Sequence, residues 1–344
     1  MPERIIYHNA DHIEHRGWID NEGKPWDVPE RLFLVIDALL SDDTARTEWL
    51  VVPEFHQETL DLIAKAHSVE MIEAIARASS EATHDRPVKT RFDKDAETDA
   101  SAIYPGTFEQ ALMSAECAAS AADALVSGQT DLAITVSRPP GHHAGHEFYH
   151  GFCYFNLAAI AAETMKESGK RVAILDFDIH HGDGTQDIFY DDPNVLYASL
   201  HADPNIVMPG TGHAHEIGNR NNMANFPLPI GVDPETYMVL LDEANRRVKE
   251  FKPDYLIIEA GFDGHKDEFP HLPPITQLGD AQYNEIGRKI GDLQIPSLVI
   301  FGGGYNQEVT SGAFLSYMQG MEVGRGVRSD IELYTSDAVL PDQQ

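Results

Sequence analysis

Short runs that are apolar on both faces, each followed by an amphipathic stretch, recur along this chain and leave few ways to fold it. The runs are Asp131–Val136, Arg171–Leu175, Val195–Leu200, Tyr255–Glu259 and Ser297–Phe301. Strands with no polar face need cover on both sides, as parallel strands sandwiched between helices have. Helix-like segments are Glu30–Leu40, Thr107–Val126, Asn156–Glu167, Pro234–Glu250 and Leu278–Asp292. Thr107 followed by Gln110 predicts a capping box at the second of these. The alternation predicts an α/β domain with a mainly parallel sheet. The 344 residues show no internal repeat or long linker, so a single domain is expected over 1–324, with 325–344 as a peripheral acidic tail. Residues 79–105, with Ser79, Ser80, Pro87 and a charged run from Arg91 to Asp99, predict a surface loop.

Charge narrows the partners. Lys plus Arg is 25 and Asp plus Glu is 56, a net of −31. A potential of that sign repels nucleic-acid phosphates and anionic membrane surfaces and concentrates cations. It fits plain solubility or a salt-adapted host, and it fits a cationic substrate; charge alone leaves both open. No apolar run approaches the ~20 residues of a membrane helix. The opening residues carry no apolar stretch behind a basic residue, so no signal peptide is expected. The two cysteines, Cys117 and Cys153, rule out a disulfide framework and point to a reducing cytoplasm.

Ligands of parallel sheets bind beyond the carboxyl ends of the strands, and chemically suggestive residues recur there. One run leads to Pro139-Pro140-Gly141-His142-His143, another to Asp176-Phe177-Asp178-Ile179-His180-His181-Gly182-Asp183. A third leads to Gly261-Phe262-Asp263 and a fourth to Gly302-Gly303-Gly304-Tyr305. Asp178 and His180, two apart on an extended segment, project from one face and suit a small ion, with Asp263 as a third protein ligand. Three protein ligands leave a position for water, as in catalytic metal sites. A lone Asp-x-His is equally two polar residues at a strand exit; the other strand-end motifs favour the metal. Imidazoles at His142 and His143 titrate in the range a hydrolytic acid and base need, though adjacent histidines also occur as solvated loop residues. Asp176 and Asp183 are available to orient them. Tyr305, after a glycine run, reads as a phenol donating to a developing oxyanion or as an exposed turn residue. Gly151-Phe152 and Met208-Pro209-Gly210 are candidate walls of a narrow slot.

These motifs resemble the histone deacetylase superfamily, which includes bacterial histone-deacetylase-like amidohydrolases and acetylpolyamine amidohydrolases. The resemblance rests on Arg138–Ala144, Gly151–Asn156, Asp176–Gln186, Ser199-Leu200-His201, Pro209–Gly212, Gly261–Asp263 and Gly302–Tyr305, with weaker echoes at Pro29–Arg31, Ala66-His67 and Tyr104–Thr107. It implies an arginase-like three-layer α/β/α domain. It implies a catalytic zinc, or iron(II) in its place, on Asp178, His180 and Asp263. His142 and His143 would act as general base and acid, paired with Asp176 and Asp183, and Tyr305 would polarise the acetyl carbonyl. A structural potassium is implied at Asp176 and Ser199, with main-chain oxygens of Asp178, His180 and Leu200. The implied partner is a small cationic acetylated amine or an acetyl-lysine, and a homo-oligomer is left open.

Some positions depart from the family pattern. The acid expected to grip the substrate falls at Ala100, so Asp99, one step earlier, is the expected clamp, with Asp267 and Glu268 placed near the rim. Met208 stands where the second tunnel wall is often phenylalanine, a softer lining. The segment between His67 and Pro105 is shorter than acetylpolyamine amidohydrolases usually carry. A binuclear ureohydrolase needs a further carboxylate two residues after His180, where Gly182 stands. A catalytically weak acyl-amine-binding protein remains the alternative from another class.

Overall fold

The computed structural model describes residues 4–9, 26–42, 48–95, 100–269 and 273–327. Its centre is one eight-stranded sheet: β1 (Arg4–Tyr7), β2 (Glu48–Val51), β3 (Leu132–Thr135), β4 (Val172–Asp176), β5 (Val195–Ala202), β6 (Met223–Leu228), β7 (Tyr255–Ala260) and β8 (Ser297–Phe301). The spatial order is β2-β1-β3-β8-β7-β4-β5-β6, and every pairing is parallel. The helices are α1 (Glu30–Leu40), α2 (Gln57–Ala66), α3 (Val69–Glu81), α4 (Thr107–Val126), α5 (Leu157–Glu167), α6 (Asp183–Phe189), α7 (Pro234–Phe251), α8 (Asp280–Gly291) and α9 (Gln307–Gly324).

Burial on both faces accounts for the strand sequences. Ile134, Leu175, Ile258 and Val299 pack against α1, α7, α8 and α9, while their chain neighbours Ala133, Ile174, Ile257 and Leu298 pack under α4 and α5. The result is a three-layer α/β/α domain with a parallel sheet. No described helix is long and apolar enough to cross a membrane.

Some expectations need correction. The capping box at α4 does not form: Gly106, at φ +80°, is the N-cap, and Thr107 Oγ1 instead accepts from the Tyr104 amide (3.1 Å). Gln110 is drawn away to Asn9, whose Nδ2 donates to its side-chain oxygen (3.2 Å). Residues 79–81 belong to α3, so the loop begins later, and it is stitched by a bridge between Val88 and Ile103. β1, β2 and β6 carry too little pattern to be read as strands. Four-residue β1 is too short for periodicity, and β6 holds Pro227, which a sheet tolerates at its edge. The tail expected over 325–344 lies outside the described residues beyond 327.

α8 and α9 support the loop that precedes α9, and they approach at backbone distance. A β-carbon on Gly320 would lie 1.9 Å from the Asn284 carbonyl oxygen, and one on Gly287 2.0 Å from that of Tyr317. Only glycine permits this contact, so Gly320→Ala must push the helices apart. It is expected to lower the unfolding free energy by about 1–3 kcal/mol, read by urea denaturation; wild-type stability would refute the close packing.

Candidate active site

Because the sheet is parallel, its strands all end at one edge. β3, β8, β7 and β4 are consecutive there, so the loops that follow them meet.

The loop after β3 carries the histidine pair and is fastened from several sides. Asn9 Nδ2 donates to the Arg138 carbonyl (2.6 Å) and Asn156 Nδ2 to that of Ala144 (3.0 Å). Buried His67 donates from Nδ1 to the Gly145 carbonyl (2.7 Å) and accepts the Asn156 amide on Nε2 (2.9 Å). Burial drives its pKa down to about 4, so it stays neutral and keeps both bonds. The two rings that this loop presents are 4.0 Å apart. His142 Nδ1 lies 3.1 Å from Asp176 Oδ2 and His143 Nδ1 2.9 Å from Asp183 Oδ1. His150, which the sequence did not single out, lies 2.9 Å from both Asp183 oxygens, its ring 4.6 Å from that of His143.

The two histidines sit in opposite fields. Burial disfavours a charged His142, but Asp178 and Asp176 outweigh it and bring its pKa to about 10. Burial also disfavours charge on His143, and there the neighbouring His142 and His150 reinforce it, so the ring is held well below its usual value.

Asp178 and His180 follow β4, and Asp263 follows β7. Their donor atoms all lie within 4.8 Å of one another: His180 Nδ1 is 2.8 Å from Asp263 Oδ2 and 3.3 Å from Asp178 Oδ1. Backbone amides aim the carboxylates. Gly303 N donates to Asp178 Oδ2 (2.9 Å), His180 N to Asp178 Oδ1 (3.0 Å) and Ile179 N to Asp263 Oδ1 (3.0 Å). The surrounding backbone leaves no room for side chains: β-carbons on Gly261 and Gly303 would stand 2.2 and 2.5 Å from Asp178 Oδ2. Two carboxylates and an imidazole on such a rigid frame suit a divalent cation. His143, His150 and Asp183 form a second group of the right spacing, but His150 and Asp183 do not line the cavity described below.

Tyr305 is positioned by residues far away in the chain. Arg31 donates from Nε to the Gly304 carbonyl (2.6 Å), from Nη2 to that of Gly302 (2.8 Å), and from Nη1 to Asp27 Oδ1 (2.6 Å). Its guanidinium lies 4.5 Å from the centre of the Tyr305 ring. Burial pushes the Tyr305 phenol well above its ordinary pKa, against the pull of Arg31, so it remains a hydroxyl donor.

The expected substrate contacts divide. A cavity of about 290 Å³ is lined by Gly151, Phe152, Met208, Trp26, Phe269 and Tyr305, and it reaches His142, His143, Asp178 and His180. Phe152 and Tyr305 meet edge-on at 5.4 Å, and Gly151 turns at φ +56° directly under the His143 ring. Glu268 is not at the rim. It is 2% exposed, and its carboxylate accepts the amides of Tyr305 and Asn306, which makes it a support of the tyrosine loop. Asp267 is exposed but does not line the cavity. Asp99 lies outside the described residues; Ala100 lines the cavity, and so does Asp95, whose Oδ2 accepts the Gly151 amide (2.7 Å). Ser199 and Asp176 are register partners on β5 and β4, with Leu200 next along β5. Glu259, an acid near the end of the apolar run Tyr255–Glu259, also lines the cavity; that break in the pattern was the available signal.

Arg31→Met keeps bulk but strips the glycine turn of its donors and takes a partner from buried Asp27. It is expected to cost about 3–5 kcal/mol of stability in urea denaturation; a near-wild-type value would show that the turn holds itself.

Comparison with known proteins agrees with this geometry. The histone deacetylase domain family matches residues 26–321. Acetylpolyamine amidohydrolase 1 of Pseudomonas aeruginosa is 39% identical over 227 residues, 64% of this chain and 64% of that protein's length. A probable deacetylase of Archaeoglobus fulgidus is 35% identical over 273 residues, 77% of this chain and 71% of that one. The crystal structure of an acetylpolyamine aminohydrolase from Burkholderia pseudomallei superposes with a TM-score of 0.81 at 28% identity, covering 93% of this chain and 99% of that one. The chain has the arginase-like fold and belongs to the histone deacetylase superfamily.

Proposed function

We propose that this protein is a zinc-dependent amidohydrolase that removes acetyl groups from primary amines carried on slim methylene arms, acetylated polyamines ahead of acetyl-lysine. The observation that carries the reading is the paired imidazoles, each backed by a buried carboxylate, beside the Asp178–His180–Asp263 donor set at the end of an apolar cavity. The relatives named acetylpolyamine amidohydrolase support the substrate class. Potassium would lie by Asp176 and Ser199 with the main-chain oxygens of Asp178, His180 and Leu200.

Zinc on Asp178, His180 and Asp263 would supply Lewis acidity, polarising the carbonyl and acidifying the attacking water. The chain's own residues do the rest. Phe152, Met208, Trp26 and Phe269 sheathe the methylene arm and exclude water. Neutral His143, its Nδ1 engaged by Asp183, takes the proton from the attacking water through its free ring nitrogen. His142, held by Asp176, faces the same reaction centre. As the C–N bond breaks, the departing nitrogen receives a proton from the histidine pair and leaves as amine; the acyl carbon keeps the water oxygen and leaves as acetate. The Tyr305 hydroxyl donates to the oxygen that becomes negative on the way. His142 and His143 thus share the acid–base work, and the neutrality of His143 supports it as the first acceptor.

The direct test is hydrolysis of acetylated putrescine or spermidine and of an acetyl-lysine peptide by the purified protein. Chelation should abolish turnover of both, and zinc should restore it. Turnover that survives complete metal removal would overturn the reading, and binding of either amide without hydrolysis would favour an acyl-amine-binding protein. Tyr305→Phe should retain wild-type zinc content while kcat falls roughly 100- to 1,000-fold, the loss of one oxyanion donor. Unchanged kcat would assign the oxyanion to another group.

Substrate choice gives a further expectation. A net charge of −31 draws in polycations. kcat/KM for acetylspermidine should therefore exceed that for a neutral acetyl-lysine analogue and should approach it as salt is added, because screening shortens the field. Preference for the neutral substrate at low salt would leave the acidity to solubility alone.

A further inference from the structure

Asp183 is held by more than the one histidine it backs in the acid–base pair. His143 Nδ1 meets its Oδ1 at 2.9 Å, while His150 Nε2 lies 2.9 Å from both Oδ1 and Oδ2. His150 is 2% exposed, and its ring lies 4.6 Å from that of His143 and 6.0 Å from that of Phe148. Lys94 also reaches Oδ2, at 3.4 Å, but its side chain is 49% exposed, and an exposed ammonium is a loose anchor. Burial disfavours charge on Asp183, yet hydrogen bonds from His143 and His150 outweigh it and hold the carboxyl well below its usual range. An ionised carboxylate only accepts, so each ring nitrogen facing it must carry the proton. That assigns N–H to Nδ1 of His143 and to Nε2 of His150, and with both in place the trio needs no cation. The segment bearing His150 is itself pinned. Tyr149 N donates to the Phe92 carbonyl (2.9 Å), Lys94 N to the Tyr149 carbonyl (3.0 Å) and Cys153 N to the His150 carbonyl (2.9 Å).

We propose that His150 is a positioning residue for the acid–base pair: its Nε2–H spans both oxygens of Asp183, keeps the carboxylate from turning, and so holds His143 in the tautomer whose Nε2 is free. The inference rests on the amidohydrolase reading above and adds a residue to its machinery. Without His150, Oδ1 keeps only His143 and Oδ2 keeps only the half-exposed Lys94. The carboxylate can then rotate about its Cβ–Cγ bond, and His143 loses both its bearing and the partner that selects its tautomer. A base whose ring is turned or whose proton sits on the wrong nitrogen fails in the chemical step. His150 does not line the cavity, so its removal falls on turnover rather than on substrate binding.

The test compares two variants: His150→Leu removes the donor, and His150→Gln keeps an N–H near the position of Nε2. With an acetylated diamine as substrate, zinc-loaded His150→Leu should lose about 10- to 100-fold in kcat while KM and zinc content stay near wild type. His150→Gln should recover most of that loss, which a residue needed only for its bulk would not show. The unaltered protein gives a readout of its own, so a variant that fails to fold leaves the question answerable. In wild type carrying isotope-labelled histidines, nitrogen NMR at neutral pH should show His150 protonated on Nε2 and a neutral His143 protonated on Nδ1. The opposite tautomer at either ring would overturn the inference. So would an unchanged kcat in folded, zinc-loaded His150→Leu, or a His150→Gln no more active than His150→Leu, and each of these leaves the amidohydrolase reading intact. Failure of wild type to hydrolyse any acetylated amine would overturn that reading and this role with it.

Discussion

Carboxylates buried side by side are the constraint around which this site is built. Asp176, Asp178, Asp183, Glu259 and Asp263 are all almost wholly inside the protein, several of them on adjoining strands or the loops just beyond. Like charges at such range in a medium of low polarity repel strongly unless donors or cations answer them. Here the answer comes from the loops themselves. The amides of Asp178, His180, Gly303 and Ile179 each donate to one of these side chains, and Tyr197 donates to Asp176. The shape of the loops and the placement of the acids are therefore one condition. A divalent cation between Asp178 and Asp263 would complete the charge balance, which is why the donor set and the hydrolytic reading belong together.

The same economy positions the tyrosine. Gly302–Gly304 cannot stiffen themselves, since they lack side chains and Gly304 adopts φ +119°. Arg31 holds two of their carbonyls while Glu268 holds the amides just beyond them. Arg31 is itself anchored by Asp27, which also accepts from Arg138 in the loop that leads to the histidine pair. Asp27 thus connects the Tyr305 loop with the loop of the histidine pair through buried ion pairs, where removing one partner strands a charge. A defect in any of these residues would move both halves of the site.

In the proposed reaction, surface and cavity would carry different parts of recognition. The net charge of −31 acts at long range and in a salt-dependent way, whereas the cavity walls are mostly aromatic rings, a methionine and glycines, with Asp95 and Glu259 among them. Long-range attraction fits the cationic part of an acetylated amine, and the apolar sleeve fits its methylenes. With Glu268 buried beneath the tyrosine loop, discrimination by charge at the mouth does not come from that residue.

The sequence determined the class of fold and the chemical inventory. Apolar runs such as Ser297–Phe301 fix two-sided burial because no residue in them can face water, and α1 and α4 end where their amphipathic stretches end. The spacing of Asp178 and His180 fixes a common face because an extended chain alternates. Tertiary structure alone decided which strand ends are neighbours. β8 and β7 insert between β3 and β4, and this order, invisible in any local pattern, brings His142, Asp178 and Tyr305 to one cavity, with Asp263 beside His180. It also decided the fate of residues whose identity is ambiguous. Glu268 reads as a surface acid until two backbone amides bury it, and His150, unremarked in the sequence, shares Asp183 with His143. Local sequence sets propensity and period, but burial of a polar side chain depends on donors that arrive from distant segments, and only the packed chain brings those together.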